Sequence, residues 1–284
     1  MGKPIYELEM AKEETGNNIL IVDALNLAFR YKHAKKTDFA DLYVSTVKSF
    51  AKSYSAKHII IACDWGKSTY RKDLYPEYKG DREAKVALQT EEERDEFEAF
   101  FEEFEKAMAI CEKTFLLLRY KGVEADDISA YICREYCDID EDINIWLISS
   151  DKDWDLLLTD KVHRFSFVTR KEYTKENFYT HYPYPLDVAL DIKVLVGGKD
   201  NVTGIAGVGE ARALKLIEEH GTAFDIYDSL PIPGKAKYIQ NTNEFGENIL
   251  RNIQLIDKKS YCKEAIGLDN VEQLNSSLRK YLCF

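Results

Sequence analysis

The sequence predicts an α/β protein in which a mostly parallel sheet has helices on both faces and is followed by a smaller helical lobe. Short apolar runs alternate with helical segments between residues 17 and 165, and these runs are apolar throughout. Such runs are typical of strands that are buried on both faces of a parallel sheet. From about Leu186 the pattern becomes helical, which predicts the lobe.

Five strands are expected in the first domain, and a helical stretch to about Ser55 follows the first of them; the strands cover 18–22, 57–63, 115–119, 144–148 and 162–168. About fifty residues separate the second and third strands, and their second half is acidic and rich in phenylalanine. A connection of this length is unusual in a compact domain. We therefore expect a helical insertion over about 80–113 that stands off the sheet.

The chain divides into a polar N-terminal tail over 1–16, the α/β domain over 17–185 and the helical lobe over 186–284. In the lobe, residues 204–209 contain three glycines between two helical segments, which predicts a helix–hairpin–helix element over about 195–220. Glycines let a backbone approach a phosphate closely, and the start of the next helix supplies N–H donors. A glycine-rich connection between packed helices is the alternative interpretation.

Composition excludes several classes of protein. With 45% hydrophobic and 31% charged residues the chain can build a core, which excludes global disorder. Its apolar runs are too short to cross a bilayer, and its first fifteen residues contain no apolar signal segment. Six scattered cysteines without a Cys-x-x-Cys motif argue against a zinc site and favour a reducing cytoplasm.

The net charge of −11 at first argues against a nucleic-acid partner, because a negative protein repels phosphate. However, residues 83–112 alone carry a net charge of −8, so the rest of the chain carries only −3. This acidic segment is either a solvated helical face or a negative lid that repels duplex and admits a single strand. Basic residues cluster elsewhere, in four groups: Arg30, Lys32, Lys35 and Lys36; Lys67, Arg71, Lys72, Lys79 and Arg82; Lys161, Arg164, Arg170 and Lys171; and Lys235 and Lys237.

Acidic residues follow four of the predicted strands, at the edge where open parallel sheets bind ligands. A single aspartate after a strand often only caps the next helix, but here seven acids share one edge: Asp23, Asp64, Glu124, Asp126, Asp127, Asp151 and Asp153. Two carboxylates about 4 Å apart repel by about 4 kcal/mol at an effective dielectric constant near 20. The cluster therefore requires cations, and within these motifs Lys152 is the one basic residue.

Carboxylate oxygens select Mg²⁺ or Mn²⁺ over Zn²⁺, and seven of them exceed the needs of one ion. Two ions can activate water and stabilise the leaving oxygen in phosphoryl transfer, so the predicted chemistry is phosphodiester hydrolysis. Just before the insertion, Tyr78, Lys79 and Arg82 could stack a base and neutralise the scissile phosphate. An ordinary solvated turn explains these three residues equally well.

The ordered set of motifs resembles the 5′-nuclease or flap endonuclease superfamily, most closely the flap endonucleases of T5-type bacteriophages. The similarity runs from about residue 19 to residue 261, and its most specific stretches are Ile21-Val-Asp23-Ala-Leu-Asn26, Pro76-Glu-Tyr-Lys79-Gly, 119–127, 146–161 and 233–240. It implies a PIN-like (resolvase-like) domain, a helical arch and a helix–hairpin–helix lobe. It also implies Mg²⁺-dependent 5′→3′ exonuclease and structure-specific endonuclease activity on branched DNA in replication and repair.

Matching motifs imply roles for individual residues. One metal would be held by Asp23, Asp64, Glu124 and Asp126, and the second by Asp127, Asp151, Asp153 and Asp200. Lys79 would contact the scissile phosphate, with Arg82 and Tyr78 as helpers, and K⁺ would bind backbone carbonyls of the 204–209 hairpin. We expect a monomer in the cytoplasm, or in the host cytoplasm if the protein is phage-encoded, that does not bind a membrane. We expect it to bind branched or 5′-flap DNA. The residues expected to contact the DNA are Arg30, Lys32, Gly204, Gly207, Gly209, Arg212, Lys215, Lys235 and Lys237.

One departure from the family pattern affects the second metal. Before the hairpin the family has Gly-Asp-x-x-Asp-Asn, whereas this chain has Gly197-Gly-Lys-Asp200-Asn, which is one residue shorter and lacks one aspartate. The second metal loses a ligand and gains Lys199 nearby, so we predict weaker affinity there. A tight, non-cooperative Mg²⁺ dependence of cleavage in the low micromolar range would contradict this.

Three other functions are compatible with parts of the sequence. They are a PIN-type ribonuclease, a non-catalytic protein that binds DNA junctions and has lost its second metal, and a metal-dependent phosphomonoesterase. The arch and the hairpin lobe oppose the first and the third. Lys79 and the seven carboxylates oppose the second.

Overall fold

The computed structural model describes residues 16–137, 142–198 and 200–282, so most of the expected N-terminal tail lies outside the described residues. Its six strands are β1 (Asn18–Asp23), β2 (Ala56–Cys63), β3 (Leu116–Arg119), β4 (Ile145–Ile148), β5 (Val162–Ser166) and β6 (Lys171–Tyr173). They form one sheet in the order β3-β2-β1-β4-β5-β6. The first five pair in parallel and β6 pairs antiparallel to β5. The mostly parallel sheet is confirmed, while β6 was not predicted because it is three residues long and mostly exposed.

Six helices belong to the first domain: α1 (Ala24–His33), α2 (Ala40–Ser53), α3 (Thr69–Leu74), α4 (Gly80–Ala87), α5 (Glu91–Thr114) and α6 (Ala125–Tyr136). Successive side chains of a strand point to opposite faces, so β1 supplies Ile19 and Ile21 to one core and Leu20 and Val22 to the other. Helix α6 covers the first face, and α1, α2 and α5 cover the second. Helices therefore lie on both faces, as predicted.

The expected insertion consists of α4 and α5, joined by residues 88–90. The first turns of α5 are exposed and acidic, but its second half carries buried phenylalanines at helical spacing, Phe100 and Phe104. The Phe100 ring stacks on Phe29 of α1 with centroids 5.2 Å apart. The prediction that the insertion stands off the sheet is therefore wrong for its second half, because these rings form an apolar face that packs into the core.

The C-terminal part contains α7 (Ala189–Val196), α8 (Glu210–His220), α9 (Ala223–Asp228), α10 (Lys237–Glu244), α11 (Gly246–Ile256), α12 (Lys258–Ile266) and α13 (Leu268–Leu282). Helices α7 to α11 share a further core, to which Leu158, Tyr173, Phe178 and Tyr184 of the first domain also belong. Helices α12 and α13 instead pack beside α6 in the core of the sheet domain, through residues such as Cys262 and Leu274. The region 186–284 is therefore not a single lobe, because its last two helices belong to the core of the sheet domain. None of the helices in the described residues has the length and apolar character that a membrane span requires.

Candidate active site

The strand order places the acidic strand ends side by side. Strand β1 lies between β2 and β4, so the residues that follow these three parallel strands meet at one edge of the sheet. The chain reverses its direction of winding between β1 and β4, and ligands bind at such switch points. Asp23 and Asp64 end β1 and β2 here, and the turn with Asp151 follows β4.

Asp23 and Asp64 are held by hydrogen bonds from neighbouring loops. Asp23 accepts from the Ser149 hydroxyl at 2.8 Å, and Asp64 accepts from the Ala125 N–H at the start of α6, at 2.9 Å. Burial, with the nearby charge of Asp64, raises the pKa of Asp23 well above its usual value. Burial, with the charges of Asp126 and Glu124, raises the pKa of Asp64 to about 6. Both side chains therefore lie in one crowded, negatively charged pocket.

The start of α6 adds three acids to this pocket. Oxygen atoms of Glu124, Asp126 and Asp127 lie within 4.8 Å of one another. Asp126 Oδ1 is buried and accepts no hydrogen bond from the described residues. A buried oxygen without a donor fits a cation, and an all-carboxylate set of this kind fits a hard divalent ion. The donor chemistry of the pocket therefore fits the expected metal.

Three cations converge on Glu124. Arg71 Nη1 lies 2.8 Å from Glu124 Oε2, Lys79 Nζ lies 2.5 Å from Oε1, and Lys258 Nζ lies 3.4 Å from Oε2. Burial opposes ionisation of Glu124, but Lys258, Lys79 and Arg71 outweigh it and hold its pKa well below the usual value. Glu124 therefore stays ionised although its side chain is 5% exposed.

Asp127 is fully buried, with 0% of its surface exposed. Its two oxygens accept from the two terminal nitrogens of Arg71, at 2.6 and 2.7 Å. Burial raises the pKa of Asp127, and the Arg71 guanidinium opposes that rise. The structure therefore brings Asp127 close to Glu124 and Asp126, but it engages both oxygens in an ion pair.

Asp151 and Asp153 lie on the turn after β4, which begins the 3-10 helix Lys152–Leu157. Asp151 accepts from the N–H of Asp153 at 3.0 Å, and Lys193 of α7 contacts Asp153 at 2.7 Å. Burial and the charge of Asp153 raise the pKa of Asp151. Burial disfavours the charge of Asp153, but Lys193 outweighs it and lowers the pKa of Asp153.

A buried ion pair between Arg164 and Asp155 holds this turn in place. Arg164 of β5 contacts Asp155 through two nitrogens, at 2.5 and 2.9 Å, and donates a third bond to the Ser149 carbonyl at 2.9 Å. Tyr182 also donates to Asp155. The sequence places Arg164 in a basic cluster, yet its side chain is 1% exposed, so it supports the turn instead of presenting a charge to solvent.

The segment before the arch faces the same pocket. Lys79 lies 3.9 Å from Asp200, and Arg82 lies 2.6 Å from the other oxygen of Asp200. Burial opposes the charge of Lys79, but Glu124 outweighs it and raises the pKa of Lys79. Tyr78 is 4% exposed and donates to Glu124 at 3.3 Å. The Tyr78 ring is therefore buried in the wall of the pocket and is not exposed for the base stacking that the sequence had suggested.

A cavity of about 660 Å³ opens beside these groups and is lined by Asp151, Asp153, Arg82, Lys193 and Lys258 among others. Asp200 lines it from the hairpin side. Lys199, expected near the second metal, lies outside the described residues. All eight acids that the sequence suggested as metal ligands lie at this pocket, and each interacts electrostatically with at least one other charged residue there.

The expected hairpin joins α7 and α8, with α8 beginning directly after Gly209. A Cβ on Gly204 would lie 2.1 Å from the Val196 carbonyl, so only glycine fits there, and Gly207 has a φ of 80°. Two hairpin carbonyls already accept side-chain donors: Asn241 reaches Ala206 at 2.6 Å, and Arg212 reaches Gly207 at 2.6 Å.

The other residues expected to bind DNA lie mostly on the surface. Arg30, Arg212, Lys215, Lys235 and Lys237 are exposed. Lys32 is partly covered, because its ammonium lies 3.4 Å from the centre of the Phe97 ring on α5.

Sequence reasoning missed three cations of the pocket. Arg71 was counted only as a member of a basic cluster but is fully buried beside Glu124, and Lys193 and Lys258 were not singled out. Lys258 contacts Glu124 across 134 residues of sequence and Arg71 does so across 53. No local motif marks such contacts, and a lysine follows each of the two residues in the sequence, Lys72 after Arg71 and Lys259 after Lys258.

Comparisons with known proteins agree with this geometry. Residues 18–183 match the family model of the 5′-3′ exonuclease N-terminal resolvase-like domain. The chain is 46% identical to the flap endonuclease of Escherichia phage T5 over 269 residues, 94% of this chain and 91% of that protein. It is 30% identical to a 5′-3′ exonuclease of Bacillus subtilis over 240 residues, 78% and 76% of the two chains.

Solved structures show the same likeness. The bacteriophage T5 flap endonuclease, in a pseudo-enzyme–product complex with DNA and metal ions, superposes with a TM-score of 0.89 at 43% identity, over 94% of this chain and 100% of that one. The T5 5′-exonuclease with bound zinc also gives a TM-score of 0.89, at 44% identity over 93% and 99%. With this fold, this edge of acids and these relatives, the chain belongs to the 5′-3′ exonuclease and flap endonuclease family.

Proposed function

We propose that this protein is a structure-specific 5′ nuclease, a flap endonuclease and 5′-3′ exodeoxyribonuclease that hydrolyses branched or 5′-ended DNA in replication and repair. The observation that carries this proposal is the meeting of acids from four separate loops with Lys79 at one edge of the sheet. Divalent ions among such acids can activate water and stabilise the leaving oxygen of a phosphodiester. The relatives are metal-binding nucleases, which supports the same chemistry.

The proposed cofactors are two Mg²⁺ ions, for which Mn²⁺ can substitute. Among the described residues, five cations form ion pairs with five of the eight acids; the cations are Arg71, Lys79, Arg82, Lys193 and Lys258. The other three acids, Asp23, Asp64 and Asp151, are the ones whose charge the divalent ions would balance. We assign Asp23, Asp64, Glu124 and Asp126 to the first ion, and Asp151, Asp153 and Asp200 to the second.

Asp127 receives a different role from the ligand role that the resemblance implied. With both oxygens bound to Arg71, it anchors the guanidinium that holds Glu124 in place. The second site then keeps three acids, and two of them are already paired, Asp200 with Arg82 at 2.6 Å and Asp153 with Lys193 at 2.7 Å. Both facts support weaker affinity at the second site, in the direction that the missing aspartate predicted.

Lys79 is the proposed contact for the scissile phosphate. Its side chain is 26% exposed and its charge is secured by Glu124, so it can reach substrate from a fixed position and neutralise phosphate charge. Arg82, with a side chain 62% exposed, can contact a neighbouring phosphate. Tyr78 positions Glu124 instead of stacking a base.

The hairpin and the exposed lysines are the proposed contacts for duplex DNA. Helix α8 directs its first N–H groups to the side on which Gly207 and Gly209 are exposed, a setting that suits phosphate. K⁺ at this hairpin remains a proposal, and it requires carbonyls other than those of Ala206 and Gly207, or a movement of Arg212. The proposed location is the cytoplasm, which the free thiols of Cys63, Cys111, Cys133 and Cys262 support.

A labelled 5′-flap oligonucleotide, incubated with Mg²⁺, tests the function. We expect the wild type to cut near the branch, Lys79→Ala to cut poorly, and Asp153→Ala to bind the flap but barely cut. Lys57→Ala and Asp160→Ala are matched controls, because Lys57 lies at the opposite end of β2 from Asp64 and Asp160 lies in an exposed ion pair. Equal cutting by all five proteins would refute the site assignment.

The same assay separates the alternatives. Preference for an RNA strand of the same shape would indicate the ribonuclease. Tight flap binding without cleavage, with and without EDTA, would indicate the junction-binding protein. Hydrolysis of p-nitrophenyl phosphate without flap cleavage would indicate the phosphomonoesterase.

A further inference from the structure

Lys258 places a positive charge inside the carboxylate pocket, where the proposed hydrolysis does not require one. Its Nζ lies 3.0 Å from Asp126 Oδ2 and 3.4 Å from Glu124 Oε2, and its side chain is 6% exposed. It lines the same cavity as Asp151 and Asp153. A long cationic side chain is rarely buried unless it has partners of opposite charge, and here those partners are proposed ligands of the first ion.

The local helix does not explain this position. Lys258 is the first residue of α12, and the start of a helix disfavours a positive charge. The guanidinium of Arg71 lies nearby and adds repulsion. The next residue, Lys259, is exposed to solvent. The carboxylates of Glu124 and Asp126, and not the helix, therefore hold the ammonium of Lys258 in the pocket.

We propose that Lys258 is a resident cation of the first metal site, which neutralises Glu124 and Asp126 in the metal-free protein and competes with the divalent ion for their oxygens. This inference rests on the proposed function, because it takes these two acids as metal ligands. A divalent ion among them repels an ammonium group a few ångströms away. The charge of Lys258 therefore stabilises the metal-free pocket and weakens metal binding.

Mn²⁺ titration without DNA tests this, with the free ion measured by electron paramagnetic resonance. Lys258→Met keeps the length of the stem and removes the charge, so we expect Mn²⁺ to bind about tenfold tighter or better. The same variant should melt at a lower temperature than the wild type in EDTA, because the acids lose their counter-charge. Lys258→Arg keeps the charge, and Lys259→Met removes a charge outside the pocket; both should bind Mn²⁺ like the wild type.

Several results would overturn the proposal. Lys258→Met with unchanged or weaker Mn²⁺ affinity would do so, as would Lys258→Arg gaining as much affinity as Lys258→Met. Lost DNA affinity with unchanged Mn²⁺ affinity would identify a phosphate ligand instead. Should Lys258→Met not fold, Lys258→Gln carries the same expectation. Flap cleavage by the wild type is measured separately, so its failure would defeat the proposed function and leave the Mn²⁺ comparison to decide the role of Lys258.

Discussion

Substitution of Arg71 by methionine should destabilise the protein strongly. Arg71 is fully buried and makes three bonds of 2.6–2.8 Å to Asp127 and Glu124, and a fourth of 3.1 Å to the Leu255 carbonyl. Removing one partner of a buried ion pair leaves the other charge without compensation, at a cost of about 3–5 kcal/mol. Glu124 keeps Lys79 and Lys258, so most of this loss comes from Asp127.

Thermal and urea unfolding of the metal-free protein measure the loss. In a chain of this size about 1 kcal/mol shifts the melting temperature by roughly 2–4 °C, so Arg71→Met should melt about 6–20 °C below the wild type. Arg119→Met is the matched control, because Arg119 makes the same two-bond contact with Glu105, whose side chain is 52% exposed. That partly exposed pair should contribute less than about 1 kcal/mol.

The double variant Arg71→Met with Asp127→Leu separates charge from packing. Replacing both partners of a buried pair by apolar groups of similar volume is often close to neutral, so the double variant should regain most of the lost stability. Our account of Asp127 would be refuted by an Arg71→Met protein as stable as Arg119→Met, or by a double variant less stable than the single one.

Three further expectations concern pH, the turn after β4 and the C-terminal helix. Burial and neighbouring acids raise the pKa of Asp64 to about 6, so the folded protein binds this proton more tightly than the unfolded chain, and the group adds stability as pH falls from about 7 to about 4. Melting in EDTA across this interval should show the rise and Asp64→Asn should flatten it, while Mn²⁺ affinity falls because a ligand must lose its proton. Arg164→Met should cost about 3–5 kcal/mol and weaken Mn²⁺ binding, whereas Lys175→Met, which breaks an exposed pair, should change neither. Tyr281 bonds both the N–H and the carbonyl of Ile59 at 3.1 Å, so Tyr281→Phe should cost about 1–3 kcal/mol in urea unfolding; an unchanged midpoint would contradict this.

The sheet and its acidic edge could be predicted because they depend on local sequence and one geometric rule. Strands β1 and β2 are short, continuous apolar runs, the pattern typical of strands that are buried on both faces of a parallel sheet. Parallel strands end at the same edge, so Asp23 and Asp64 had to lie near each other once the strands were placed. Strand β6 could not be predicted in this way, because it has only three residues and two of their side chains are exposed, so it forms no apolar run.

The two buried cations of the pocket, Arg71 and Lys258, could not be predicted, since burial of a charge depends on distant partners. Lys258 and Lys259 are identical neighbours in the sequence, yet the first is buried and the second is exposed. Arg71 and Lys72 form a similar pair on α3, where only the arginine points inwards. Which member of each pair meets Glu124 is decided by how α3 and α12 pack against α6, and a single sequence does not contain that packing.

These cations also correct one step of the charge argument. The sequence implied that so many acids could not stay together without metal, but Arg71, Lys79 and Lys258 supply counter-charges from the protein itself. The pocket can therefore fold before any ion binds, and the ions are needed for the remaining charge and for chemistry. The overall charge of −11 is a poor guide for the same reason. Much of it lies on the arch helix α5 or is paired inside the pocket, which leaves exposed lysines such as Lys235 and Lys237 to meet phosphate.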